Sequence, residues 1–238
     1  MNKKPQLSQK KNIRQEGTLV DRIIIYIQTE IAHDRLRANQ KIRETQIARE
    51  LGISRSPIRE ALRALERDGL VKLIPGRGAH VVEVTPEDAC EIFLLRSYFI
   101  GLAVRLATPE LSVKDIWQYR TWTKELRAAA KQSDRQSFLK TTSEIERFFA
   151  HHCGSGRLRR FIEMIGNPCL KYRVFLASVP GYMDEVVEFH VGIVKALQRK
   201  DASRAESLRR AISEKGRRLI QHYFLGPATK DGKRQVRA

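Results

Sequence analysis

The stretch GISRSPIREALRALERDGLV, Gly52 to Val71, sets Arg55, Arg59, Arg63 and Arg67 four residues apart, so all four fall on one stripe of a helix. Like charges at that spacing repel, and a chain keeps them where the stripe meets an anion or where neighbouring acids offset it. Ile58, Ala61, Leu62 and Leu65 recur at i, i+3, i+4 and i+7 on another face and form the stripe that must be buried. Ser54 stands at the N-cap position. Pro57 lies in the first turn, where backbone N–H groups have no intrahelical partner, so it costs no hydrogen bond. The start of this helix is therefore an electropositive end with free N–H groups, suited to a phosphate. Arg55 and Arg59 lie nearest that end and are the residues placed to reach DNA. Arg63 and Arg67 have Glu60 and Glu66 beside them and read as an ordinary solvated face.

The flanking segments complete a small domain. Leu19, Ile23, Tyr26, Ile27 and Ile31 have helical spacing, and ETQIAREL is a short helix with Ile47, Ala48 and Leu51 inward and Gly52 as its stop. After the arginine helix the period changes: Val71 and Leu73 alternate with polar neighbours, PGRG is turn chemistry with Arg77 between Gly76 and Gly78, and HVVEV reads as a second strand. Helix, short helix, sharp turn, helix and hairpin make a winged helix-turn-helix. From Thr85 onward the pattern is helical. TPED, SVKD and SDRQ are capping signals, and Asp201 can cap the last helix. About six helices are expected, packed as an antiparallel bundle. The predicted class is mainly α. A basic arm spans 1–16, a DNA-binding domain 17–84, a helical domain 85–225 and a disordered basic tail 226–238.

Charge supports a polyanionic partner. The chain of 238 residues has 45 Lys and Arg against 27 Asp and Glu, a formal net charge of +18. Such an excess suits nucleic acid, an anionic membrane surface or acidic ligands. No apolar run approaches the roughly 18 residues that a spanning helix needs, so no membrane partner is expected. The start MNKKPQLSQKKNIRQEG has no apolar core and does not read as a secretory signal. Three widely spaced cysteines match neither a disulfide framework nor a zinc pattern, which points to a reducing cytoplasm.

The string KIRETQIARELGISRSPIREALRALERDGLVKLIPGRGAHV closely resembles the GntR-type winged helix, with the family's S-R-x-P-[IV]-R-E-A-L core standing as Ser54 to Leu62. The resemblance implies that Ser54, Arg55, Ser56 and Arg59 carry recognition and that Arg77, flanked by Gly76 and Gly78, enters the minor groove. Thr45 stands where some relatives place a further DNA-contacting arginine, and Arg43 beside it joins the candidate set. It also implies a bacterial origin.

The remainder resembles the helical ligand-binding domain of the FadR subgroup, called FCD. TPEDACEIFLLRSYFIGLAVRLA is similar to its first helix, with Arg96 on that group's arginine and Ile100 where it usually has glutamate. HVGIVKALQRKDASRAESLRRAI is similar to its last two helices. Many relatives hold a divalent metal with an Asp and a His four apart on one helix and two later histidines. Aligned on GSG at 154–156, those positions are Thr142, Glu146, His190 and Ile212. Only Glu146 and His190 could ligate, and two ligands rarely hold a metal tightly, so no metal is expected. Another register would bring Glu144 and His151 onto one face. Arg173 stands where the group tends to have a pocket arginine, and is either solvent-exposed or a ligand clamp. Arg96, Glu146, Arg173 and His190 are the candidate effector residues.

The resulting expectation is a sequence-specific transcription regulator, a repressor by the commoner direction. It binds double-stranded DNA at a palindromic operator as a homodimer and responds to a small acidic effector. An enzyme in the helical half is disfavoured, because no G-x-S-x-G, H-E-x-x-H or G-x-x-x-x-G-K-[ST] motif occurs. Non-specific RNA or nucleoid binding would also explain the charge, through phosphate contacts alone.

Overall fold

A computed structural model describes residues 18–32, 34–165 and 168–226. The expected arm at 1–16 and all but Gly226 of the expected tail lie outside these residues. The chain divides into two compact units: one holds the described residues up to Arg67 together with Val71–Val82, the other Asp68–Leu70 and the described residues from Glu83 onward.

In the first unit, α1 (Leu19–Ala32), α2 (Glu44–Leu51) and α3 (Arg55–Arg67) surround a core of Ile23, Ile27, Ile31, Ile47, Ile58, Ala61, Leu62 and Leu65. α2 ends at Gly52, whose φ of 67° is the left-handed conformation that lets the chain turn into α3. The wing is more than a hairpin. β2 (Val71–Ile74) and β3 (Gly78–Val81) pair antiparallel, and β1 (Lys41–Ile42) adds to the outer edge of β3. The sequence gives β1 no alternation to detect, being two residues long. Its single apolar residue, Ile42, is buried while Lys41 faces out.

The second unit is a helical bundle of α4 (Pro86–Ala107), α5 (Val113–Lys131), α6 (Arg135–His152), α7 (Gly156–Ile165), α8 (Leu170–Ser178), α9 (Tyr182–Gln198) and α10 (Ala202–Ile220), with a π-turn at Gln221–Leu225. These seven helices replace the expected six or so. Pro168 cannot continue a helix, and the stretch between the two glycine-containing turns becomes two short helices rather than one. Local chemistry sets the starts. Thr85 with Asp88 and Ser112 with Asp115 form capping boxes, each side chain accepting from the other's backbone N–H. Asp201 caps α10 as expected. At α6 the cap is Asp134, accepting from Ser137, and not Ser133, which lies at φ 54° in the preceding turn.

Tyr119, Phe138, Phe149, Ile100, Leu126, Ile145 and Leu176 fill the bundle interior. α10 lies along α4, with Gly216 at a close approach of the two helices. A Cβ there would stand 2.7 Å from a Phe93 ring carbon and 3.1 Å from Leu176 Cδ1. Gly216→Ala is thus expected to destabilise the bundle by roughly 1–3 kcal/mol through overpacking, opposed by about 1 kcal/mol of helix propensity. A melting temperature equal to or above the wild type's would show that Phe93 moves aside freely.

Candidate functional site

Two regions of the molecule carry the candidate residues. In the first unit α2, the turn at Gly52 and the first turns of α3 form one exposed face. Arg43, Thr45, Ser54, Arg55, Ser56 and Arg59 are all exposed on it. Arg77 stands at the tip of the β2–β3 turn between two glycines at positive φ, its N–H bonded to the Ile74 carbonyl at 3.0 Å.

The side chain that organises this face is Glu44, at the start of α2. Its Oε2 accepts from Arg55 Nε at 3.1 Å, Arg55 Nη2 at 3.0 Å and Arg59 Nε at 2.9 Å. Partial burial would raise the Glu44 carboxyl, but the bonds from Arg59 and Arg55 outweigh it and lower its pKa. One carboxylate thus orients both leading arginines, which stay more than half exposed at 53% and 59%. Sequence reading missed Glu44, because its partners lie 11 and 15 residues on and meet it only once the turn has folded. Farther along α3, Glu66 accepts from the Leu73 backbone N–H at 2.9 Å and ties α3 to β2.

In the bundle, α4, α6, α8, α9 and α10 each bring polar side chains to one cavity of about 60 Å³, room for a handful of waters. Arg96, Glu146, Arg173 and His190, dispersed in sequence, all line it. So does Arg209, which sequence reading missed. Glu146 is the hub: Arg96 Nη2 bonds to its Oε2 and Arg209 Nη2 to its Oε1. Arg209 also donates to Ser213 Oγ at 2.9 Å. Arg173 is partly buried and donates to neutral oxygens, Thr142 Oγ1 at 2.9 Å and Ser143 Oγ at 3.2 Å. The two readings of Arg173 thus resolve into an inward arginine without a bonded carboxylate at those contacts. A signal for Arg209 did exist: it lies on the buried stripe Ala205, Arg209, Ser213, Gly216, Ile220 of α10, where an arginine is costly unless paired.

Electrostatics follow from this enclosure. Burial would raise the Glu146 carboxyl, but Arg96, Arg209 and Arg173 together hold it down at about 2. Burial, and then the Arg209 charge, push His190 down to about 3, so its ring is neutral; its Nδ1 is hydrogen-bonded to the Tyr119 hydroxyl at 2.7 Å. Desolvation lowers the Arg173 pKa, with Glu146 opposing. Burial raises the Cys169 thiol to about 12 and the Tyr182 phenol to about 12, leaving both neutral. Three guanidiniums thus face one carboxylate.

The donor set does not fit a divalent metal. Both Glu146 oxygens are taken by guanidiniums, Thr142 and Ile212 replace two ligating positions, and the surrounding charge repels a cation. In the other register, Glu144 is partly buried but His151 is exposed, and neither lines the cavity. Among the described residues no three His, Cys, Asp or Glu side chains gather as a metal site.

A neutral buried His190 makes the bundle acid-sensitive. A histidine depressed from about 6.5 to about 3 stabilises the fold above the unfolded value and loses that contribution as pH falls through 6.5 toward 3. The expected loss between pH 7 and pH 5 is about 2 kcal/mol, and Glu146 adds to it only below about 4.5. Melting of wild type against His190→Gln across that range measures it. Parallel profiles would mean that the folded protein accommodates a charged His190.

Comparison with known proteins agrees with this architecture. Residues 19–81 match the family described as bacterial regulatory proteins, gntR family, and residues 91–214 match the FCD domain. A probable D-xylose utilization operon transcriptional repressor of Paenarthrobacter nicotinovorans is 29% identical over 190 residues, 79% of this chain and 83% of the relative. The fold is similar to that of E. coli McbR/YncC, with a TM-score of 0.70 at 20% identity over 87% of this chain and 99% of that one. It is also similar to a putative GntR regulator from Rhodococcus sp. RHA1, with a TM-score of 0.65 at 18% identity over 86% of this chain and 98% of that one. With the FCD match alone spanning more than half of its length, the chain belongs to the GntR-type transcriptional regulators that carry an FCD domain, a family of DNA-binding regulators and not of enzymes.

Proposed function

We propose that this regulator is a cytoplasmic repressor that binds a palindromic operator as a homodimer and is released by a small acidic effector in the bundle cavity. Residues 17–84 are the DNA-reading domain and 85–225 the effector-binding and pairing domain. The observation that carries the reading is the exposed, Glu44-oriented pair Arg55 and Arg59 at the start of α3, with Ser54 and Ser56 beside them. Guanidiniums held in a fixed fork can read guanine O6 and N7. Arg43 and Thr45 flank them for backbone contacts, and Arg77 with Gly76 and Gly78 suits a narrow groove.

One recognition helix spans too few base pairs for genomic specificity, so two copies must act together. The face of α4 supports pairing: Leu94, Leu95, Tyr98, Leu102 and Leu106 are all exposed along it, an apolar stripe of the kind that marks an interface. For the effector, Arg96, Arg173, Arg209 and His190 converge on one cavity with excess positive charge. Cys90, Cys153 and Cys169 form no disulfide with one another, which suits a reducing cytoplasm, and no described helix is long and apolar enough to cross a membrane.

Selection of sheared genomic DNA on the purified protein at about 150 mM salt, with sequencing of what is retained, tests this reading. Enrichment of a few palindromic sites, preferred by about 10³-fold or more, is expected. Recovery indifferent to sequence would leave only phosphate-driven binding and would overturn it.

A further inference from the structure

We infer that Glu44 is itself a base-reading residue, accepting a hydrogen bond from the amino group of a cytosine in the base pair next to a guanine read by Arg59. The inference rests on the DNA-reading function above and names one step of the sequence that is read. It starts from the unequal use of the two carboxylate oxygens. Oε2 takes all three bonds from the arginines, two from Arg55 and one from Arg59, and Oε1 accepts no hydrogen bond from any described residue. Glu44 is the first residue of α2. Its side chain is 23% exposed, and Arg43 and Thr45 on either side of it are exposed. Burial would raise its carboxyl, but the arginine bonds outweigh it and lower the pKa, so the group is ionised at neutral pH. An ionised carboxylate only accepts, and Oε1 is the acceptor left over.

The arginines are used unequally as well. Arg55 engages Glu44 through Nε and Nη2, whereas Arg59 engages it through Nε alone. Both Nη groups of Arg59 therefore remain for guanine O6 and N7, which a guanidinium takes as a pair, and the bond to Glu44 need not break. The carboxylate stays beside the reader, its Oε2 2.9 Å from Arg59 Nε. Successive bases on a strand lie about 3.4 Å apart, so the two groups suit neighbouring base pairs.

The acceptor then chooses the base. In the major groove guanine offers O6 and N7 and thymine offers O4, all of which repel a carboxylate. Adenine has its amino group next to the N7 acceptor. Cytosine alone offers an amino group with no acceptor on the same base. A carboxylate at this place rejects three bases as much as it selects one.

The test uses the full chain as wild type, Arg59→Ala and Glu44→Ala. Sites are selected by the wild type from a pool of random duplexes at about 150 mM salt, and single-base variants of the selected site are then measured by fluorescence anisotropy. Arg59→Ala identifies the guanine, as the position whose preference it loses. A cytosine is expected in an adjoining pair of each half-site. Replacing it should weaken wild-type binding by about 10-fold or more, whereas Glu44→Ala should accept any base there within about 3-fold. A cytosine analogue without the amino group should likewise weaken the wild type and leave Glu44→Ala unaffected. No cytosine preference beside that guanine, a preference that survives in Glu44→Ala, or a variant that weakens on every duplex alike, as a merely orienting carboxylate would produce, each overturns the inference. If the variant does not fold, the analogue decides on the wild type alone, and undiminished affinity overturns it. The failures are distinguishable. A preferred palindromic site without dependence on the cytosine amino group defeats this inference and leaves the regulator intact, whereas a wild type with no preferred site defeats both.

Discussion

Arg55→Ala is expected to weaken operator binding by at least about 30-fold while leaving the fold intact. A bidentate arginine–guanine contact discriminates by roughly 1–3 kcal/mol. A paired reader presents the residue twice, so the minimum is about 2 kcal/mol, or about 30-fold. Stability should hardly change. Arg55 is 53% exposed and its ion pair with Glu44 lies at the surface, where such pairs contribute at most about 1 kcal/mol. Fluorescence anisotropy on the selected operator and on a scrambled duplex of equal length separates the cases. A loss confined to the operator means base reading. An equal loss on both means that Arg55 touches only phosphate, and no loss on either would remove α3 from the DNA-reading surface.

Glu146→Gln should produce a large loss of stability in the bundle. It takes the counter-ion away from Arg96 and Arg209 together, and breaking a buried ion cluster by removing one partner costs about 3–5 kcal/mol. For a unit of this size that is about 10 °C or more in melting temperature. Both tryptophans of the chain, Trp117 and Trp122, lie in α5, so their fluorescence reports the bundle alone. The double variant Glu146→Gln/Arg209→Met should be more stable than Glu146→Gln by itself, since the orphaned guanidinium leaves with its partner. If the single variant melts like wild type, the cluster is not an energetic unit.

Much of this was legible in the chain because it is local. The capping boxes at Thr85 and Ser112, the buried stripe of α3 and the stop at Gly52 depend on residues within one or two turns of each other. What escaped depends on distance. Arg209 lies in α10, 63 residues on from Glu146, and its pairing forms only when α6 brings Glu146 against α10. Glu44 joins the exposed arginine face through a turn that sets α2 against α3. β1 has no periodicity of its own, and exists because β3 offers Ile42 and Lys41 a partner.

The carboxylate of Glu44 also bears on how the protein searches a chromosome. A chain with net charge +18 would be held along any stretch of duplex by its phosphates. Arg55 and Arg59, however, share the one Glu44 carboxylate, so a phosphate that engages either of them competes with a partner already in place. On the proposed reading, ordinary sequence engages these two side chains only weakly. On the same reading they commit where a base edge offers two acceptors at once, so the residue that restrains the arginines would make transit fast and arrest selective.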